Sequence, residues 1–226
     1  MLSRLRIISF GAMTMLATGC QLAEKYAGLS EYQDRATQFA IQADTLRDME
    51  GTAWKTVPTS GSASFVGGGR IIINPNPDTI SDDIRIVGDL SIVADFEQAT
   101  MTGAISNMQG VGELSVNDAT PFDVEGSVVL GAGHSVVGTD TAGTLTTRPN
   151  EWYVDYAGSL GILGEIYVLD GGIDGGFVGT RGHASSDAQA IHGVIGNTAH
   201  GETVTHGQGN QLSIFIEIFG VNPYLR

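Results

Sequence analysis

From residue 61 onward the chain alternates apolar and polar positions with a period of two. The clearest run is 84–96, where Ile84, Ile86, Gly88, Leu90, Ile92, Ala94 and Phe96 fall on one face and Arg85, Asp89, Ser91 and Asp95 on the other. That spacing predicts a strand with one buried and one wet side. Phe122, Val124, Gly126, Val128 and Leu130 repeat the pattern against Asp123, Glu125 and Ser127, and Leu212, Ile214, Ile216 and Ile218 repeat it again. Further strands are predicted at 62–73, with a glycine kink at Gly67 to Gly69, and at 100–107, 136–147, 152–162 and 166–178, with a shorter one at 190–196. Eight or nine strands joined by short connections rich in Gly, Asn, Asp and Pro, with no helices between them, predict an all-β fold. The expected form is a single eight-stranded antiparallel up-and-down β-barrel, because closure removes exposed sheet edges. A sandwich is the second choice. The outward rows carry Arg85, Asp89, Asp95, Asp123, Glu125 and Asp155 in mid-strand, which would be costly against lipid and argues against a membrane-spanning barrel.

Ahead of the strands the period lengthens. Tyr32, Ala36, Phe39, Ala40, Ala43, Leu46 and Met49 recur every three or four residues and predict a helix over 30–50, with Ser30 as N-cap and Gly51 as the stop. Such a helix is about 30 Å long. It would either act as a stalk or lay its apolar stripe on whatever follows.

The first twenty residues follow a third pattern. Arg4 and Arg6 precede an apolar run from Ile7 to Ala17, and Leu16-Ala17-Thr18-Gly19 stands directly before Cys20. This is the layout of a bacterial lipoprotein signal peptide, its apolar stretch being too short to span a bilayer, which takes about 20 residues. Cys20 is the only cysteine in the chain, so it is the expected lipidation site, carrying palmitate-type acyl chains, and no disulfide within the chain is possible. Gln21 after the cysteine favours passage to the outer membrane, facing the periplasm or the cell surface. The expected organisation is a signal peptide at 1–19, a lipidated N-terminus and helical spacer at 20–57, and a β-barrel domain at 58–226.

Charge narrows the partners. Once Met1 to Gly19 are removed, nine Lys and Arg face twenty-five Asp and Glu, a formal charge of −16. Nucleic acid is excluded, since its binding needs basic surface to displace counterions, and so is a polybasic hold on anionic lipid. Membrane attachment would have to come from the lipid on Cys20. Glycine, at 32 residues, fits short strands with tight turns.

Candidate chemistry is sparse. His183, His192, His200 and His206 cluster in the last third and, with Tyr153 or Tyr167, would suit haem or a transition metal, although their spacing matches no known ligand motif. Asp170-Gly-Gly-Ile-Asp-Gly-Gly176 resembles a calcium-binding turn that works only as a stacked array, and reads better as a hairpin with glycines at positive φ. Asp140-Thr-Ala-Gly143 lacks the second aspartate that proton sharing requires, and no nucleophile elbow or phosphate loop is present. An enzyme is therefore not expected. Trp152, Tyr153, Tyr156, Phe215 and Phe219 are candidates for an exposed aromatic patch that would receive the helix or a partner protein.

Three segments carry a family resemblance. Gly61-Ser-Ala63-Ser-Phe65-Val-Gly67 resembles the Gly-x-Ala-x-aromatic-x-Gly opening strand of the barrel domains of transferrin-binding protein B and its single-barrel lipoprotein relatives. Ala94-Asp95-Phe96 followed by Thr100-Met-Thr-Gly103-Ala-Ile105 is similar to the family's next strand pair. Gly175-Gly-Phe177-Val-Gly179 and Ile191-His-Gly193 are similar to its closing segments. The resemblance spans roughly 58–220 and implies a surface lipoprotein whose barrel binds a macromolecular or iron- or haem-related ligand through its loops. The family's full-length members have two lobes, and this chain has room for one barrel. Its transferrin-contacting residues have no counterpart here. The other class in view is a structural envelope or surface interaction protein without a small-molecule ligand.

Overall fold

The computed structural model describes residues 9–53, 55, 57–75, 82–112, 119–139, 146, 148–179, 190–194, 203–206 and 209–224, with the side chains of the N-terminal helix described from Lys25 onward. The elements are helix α1 (Ser9–Arg47) and strands β1 (Glu50–Gly51), β2 (Ser62–Asn74), β3 (Ile84–Asp95), β4 (Thr100–Gly112), β5 (Thr120–Val137), β6 (Glu151–Ile162), β7 (Glu165–Gly179), β8 (Ala190–Val194), β9 (Thr203–His206) and β10 (Asn210–Val221). Strands β2 to β7 pair antiparallel with their chain neighbours, and β10 pairs with β2 from Ser213↔Asn74 to Val221↔Val66, closing an eight-position barrel. One position is shared. β8 and β9 lie end to end between β7 and β10, each hydrogen-bonded to both. β1 adds a short pairing to the end of β7. The rim carrying the β6–β7 turn is called upper here, and the opposite rim, where β10 ends, lower.

The predicted alternation holds. Ile86, Leu90, Ile92 and Ala94 of β3 are buried while Asp89, Ser91 and Val93 are exposed. The barrel interior is filled. Phe65, Ile71, Ile105, Leu130, Trp152 and Tyr156 are among the fully buried side chains of one continuous core, and Phe177 packs between Phe65 and Phe96 at the lower rim with ring centroids 6.0 and 5.6 Å apart. Space for the largest of them comes from missing side chains. A Cβ on Gly175 or Gly193 would stand 2.0 or 2.1 Å from the Trp152 indole, so these two positions accept nothing larger than hydrogen.

Several expectations are corrected. The segments 122–130 and 136–147 are not two strands: the first joins residues 131–137 in the single strand β5, with a bulge between Leu130 and Ser135. Gly131, at φ 68°, supplies the bulge conformation, and the Ser135 hydroxyl takes the Met101 N–H 3.0 Å away, so the glycines re-aim the strand instead of ending it. Asp170 to Gly176 is no hairpin, since it runs through the middle of β7 with no glycine there at positive φ. β9 was not foreseen. Ser30 does not cap α1, which runs unbroken from Ser9, because Leu22, Ala23, Glu24 and Lys25 favour helix and no proline intervenes. Gly51 lies in β1, beyond the helix end at Arg47. Among the described residues no helix is long and apolar enough to cross a membrane.

The helix lies on the outside of the barrel. Phe39, Ala43 and Leu46 are buried against Phe219 and Ala190. Gly28 sits against Pro121 near the start of β5, Arg35 reaches Asp89 on β3, and Leu46 meets β8, so α1 descends diagonally from the upper rim at β5 to the lower rim at β8. Of the two readings of the helix, the one that lays its stripe on the barrel is what the structure shows.

Candidate functional site

Among the described residues the most developed polar arrangement lies where the last turn of α1 meets the wall. The parity of β10 points Leu212, Ile214, Ile216 and Ile218 inward, which sends Phe215, Glu217 and Phe219 outward under the helix. Glu217 is directly opposite Arg70 of β2 in register, and β8 places His192 beside Phe219 on the other flank. Its carboxylate is 1 % exposed. Arg47 Nε donates to Oε1 at 2.9 Å and Arg47 Nη2 donates to the same oxygen; Arg70 Nη2 donates to Oε2 at 2.7 Å; His192 Nε2 lies 3.0 Å from Oε1. Arg47 also holds Asp44 of its own helix at 2.6 Å.

Burial on its own would push the Glu217 carboxyl up. The hydrogen bonds from His192 and Arg47 and the charges of Arg70 and Arg47 outweigh it, and the carboxyl is held down at about 2. The same hydrogen bond raises the Arg47 guanidinium above its usual value. Arg47 is also well placed at the negative end of the helix dipole. Above this cluster Phe39 and Phe219 pack at 4.8 Å in a tilted arrangement, and the Arg70 guanidinium lies 5.5 Å from the Phe39 ring and 5.4 Å from that of Phe215. The helix comes this close because Gly68 has no side chain, a Cβ there standing 2.8 Å from the Phe39 ring.

A second tie lies one strand further along. Arg35 Nη2 donates to Asp89 Oδ1 at 2.8 Å, and Asn107 Nδ2 donates to Asp89 Oδ2 at 3.1 Å. Asn107 occupies the bulge of β4 at φ 48°, a conformation that asparagine tolerates better than most residues. Between helix and wall run two crevices. One of about 350 Å³ is lined by Lys25, Tyr32, Gln109, Phe122 and Asp123, and one of about 290 Å³ by Arg35, Phe39, Val87 and Asp89. Burial raises the Tyr32 hydroxyl, against the opposing charges of Arg85 and Arg70. A third hollow, about 370 Å³, opens at the lower rim beside Glu151, Trp152 and Asp174.

Of the predicted ligand residues that are described, Tyr167 and His206 are brought together, and His192 and Tyr153 lie elsewhere. His192 faces outward into the Glu217 cluster. His206 lies in register with Tyr167 near the upper rim, its ring stacked on the tyrosine at 4.5 Å and its Nε2 3.4 Å from Glu165. Tyr153, on the outer wall, meets His134 at 5.8 Å. His183 and His200 lie outside the described residues, as do most of 136–147 and the Asp140 motif. Among the described residues no three His, Cys, Asp or Glu side chains gather as a metal site would require. The exposed aromatic patch is corrected: Trp152 and Tyr156 are fully buried in the core, Tyr153 is buried on the outer wall, and Phe219 is buried beneath the helix. Cys20 belongs to the helical backbone, and its side chain is outside the described set.

The sequence reading missed the cluster itself. Its signal was Glu217 set between Phe215 and Phe219 on the outward row of β10, aromatic neighbours that mark a covered outer face. Comparison with protein-family models, with curated proteins and with solved structures finds no match to this chain.

Proposed function

We propose that the protein is a lipoprotein anchored in the outer membrane through Cys20, and that its barrel binds a macromolecular ligand through its rims and outer wall. The observation that supports this most is the filled interior: with Phe65, Ile105, Trp152 and Tyr156 packed inside, recognition is left to surfaces outside the barrel. The resemblance to transferrin-binding protein B is part of the same reading and supplies its first ligand class, an iron-carrying protein. The reading is of a binding protein, not an enzyme.

Two measurements test it. Metabolic labelling with an alkyne fatty acid should mark the wild-type protein in the outer-membrane fraction and leave Cys20→Ala unlabelled; an unlabelled wild type would remove the anchor. Immobilised protein is then titrated with transferrin. Failure to bind would favour the structural envelope role.

One observation favours a haem reading. Tyr167 and His206, stacked at 4.5 Å just inside the upper rim, are two of the predicted ligand residues that the fold brings together. A haemin titration should give a saturable Soret shift that His206→Ala abolishes, and a flat titration would end that reading.

A further inference from the structure

The β6–β7 turn has an unusual surface for an acidic protein. Leu163, Ile166 and Val168 are 68, 55 and 47 % exposed, and they stand together, Leu163 in the turn and the other two on the outward row of β7. The tight turn that presents them puts Leu163 at φ 51° and Gly164 at φ 86°. The outward neighbours on β6, opposite Val168 and Ile166, are Ser159 and Gly161, which neither cover nor charge the patch. Tyr167 turns inward between them and is buried. The hairpin is thus built with a core-facing tyrosine and a bare aliphatic outer edge.

Its position supplies the occupant. The β6–β7 turn lies on the upper rim, next to β5, where Gly28 of α1 packs on Pro121. From Gly28 back to Cys20 the helix runs eight residues further, about 12 Å of rise. The anchor residue and the aliphatic tip therefore leave the molecule at the same rim, one strand apart.

We propose that the 163–168 hairpin tip is a second membrane contact, resting in the headgroup layer of the bilayer that holds the lipid on Cys20, so that the barrel stands with its upper rim toward the membrane. This rests on the lipoprotein reading above. Three aliphatic side chains make a shallow contact, too weak to bind membrane without the tether. Glu125, beside Gly161, and Glu165 in the hairpin flank the patch, so the contact favours zwitterionic over anionic lipid. The opposite rim, where Tyr224 is 84 % exposed beyond β10, is left facing away from the bilayer.

The test uses the full chain with the Cys20 thiol coupled to a maleimide lipid in phosphatidylcholine vesicles containing brominated acyl chains. Indoles are introduced singly by Ile166→Trp, Val168→Trp and, at the opposite rim, Tyr224→Trp, the fluorescence of the native tryptophans being subtracted. Bromolipid should quench the Ile166→Trp and Val168→Trp signals about twofold more than that of Tyr224→Trp, as expected at headgroup depth and not in water. Equal quenching at both rims overturns the proposal. Shielding of the tip indoles from aqueous iodide without bromolipid quenching also overturns it, assigning the patch to a protein contact such as a second copy. The mass of the Cys20 peptide from cell envelopes reports separately on the lipid, so an unmodified cysteine would fell the anchor while the vesicle result still decides the tip.

Discussion

At the scale of single residues, two positions set how tolerant the molecule is. Glu217 is a buried anion held by two arginines and a histidine, and removing its charge takes the shared counter-ion from Arg70 and leaves Arg47 with Asp44. Glu217→Gln is expected to cost about 3 kcal/mol, the usual scale for breaking a buried pair, read as a lowered denaturation midpoint with an unchanged slope. Because the folded carboxyl is held at about 2 against an ordinary 4.5, the stability it contributes is full above 4.5 and is lost as the pH falls toward 2. A pH series of urea unfolding should show that loss in the wild type and a smaller one in the variant. Gly175 is the second position. Gly175→Ala forces a methyl onto the Trp152 indole, an overpacking expected to cost about 1–3 kcal/mol. The double change with Trp152→Leu should recover part of it, whereas additive losses would mean that the indole is not the obstacle.

Among elements, the helix is the one whose attachment to the rest is separable. Its buried side is narrow, Phe39, Ala43 and Leu46, reinforced by the Glu217 cluster at one end and Asp89 in the middle. Phe39→Ala removes the ring that fills the space above Gly68 and should cost about 3 kcal/mol. The loss is expected to fall on helix docking, so limited proteolysis should cleave the helix faster while the barrel stays intact; joint loss of both would show that the wall does not stand without its cover. The legibility of the elements divides along the same line. Period-two rows such as 84–96 were readable because one face is buried and the other wet. The aromatic residues of β6 were misread although parity separates them: Trp152 and Tyr156 share the even, inward row with Val154 and Leu160, and Tyr153 does not. The segments 122–130 and 136–147 were set apart although one strand bridges them, because a glycine-rich stretch such as that at Gly131 serves bulges and turns alike. β9, four residues long, offers too short a pattern to see.

For the whole molecule, closure is the decisive feature. Every strand from β2 to β7 pairs with a chain neighbour, but the barrel exists only when β10 meets β2, across some 150 residues of sequence. Such a contact is slow to form, and folding on a millisecond to second scale is expected. A chain ending after Gly209 lacks β10 and leaves β2 with an unpaired edge, so it should run as aggregate in size-exclusion chromatography; a monomeric, strand-rich product would show that seven positions suffice. Closure was foreseen without its partners, and the helix was one of two covers in view for the outer face that carries Phe215 and Phe219. Periodicity reports that a face is apolar, while the identity of its cover depends on contacts far apart in sequence.

The wall beneath Phe39 and Arg47 has a further consequence in time. It is built from β2, β8 and β10, and β10 is the last strand in chain order. While the polypeptide is being made, the last turns of the helix, around Phe39 and Arg47, have no complete surface to settle on. Those turns take their place only when Glu217 and Phe219 have arrived, so a fully settled helix marks a finished barrel.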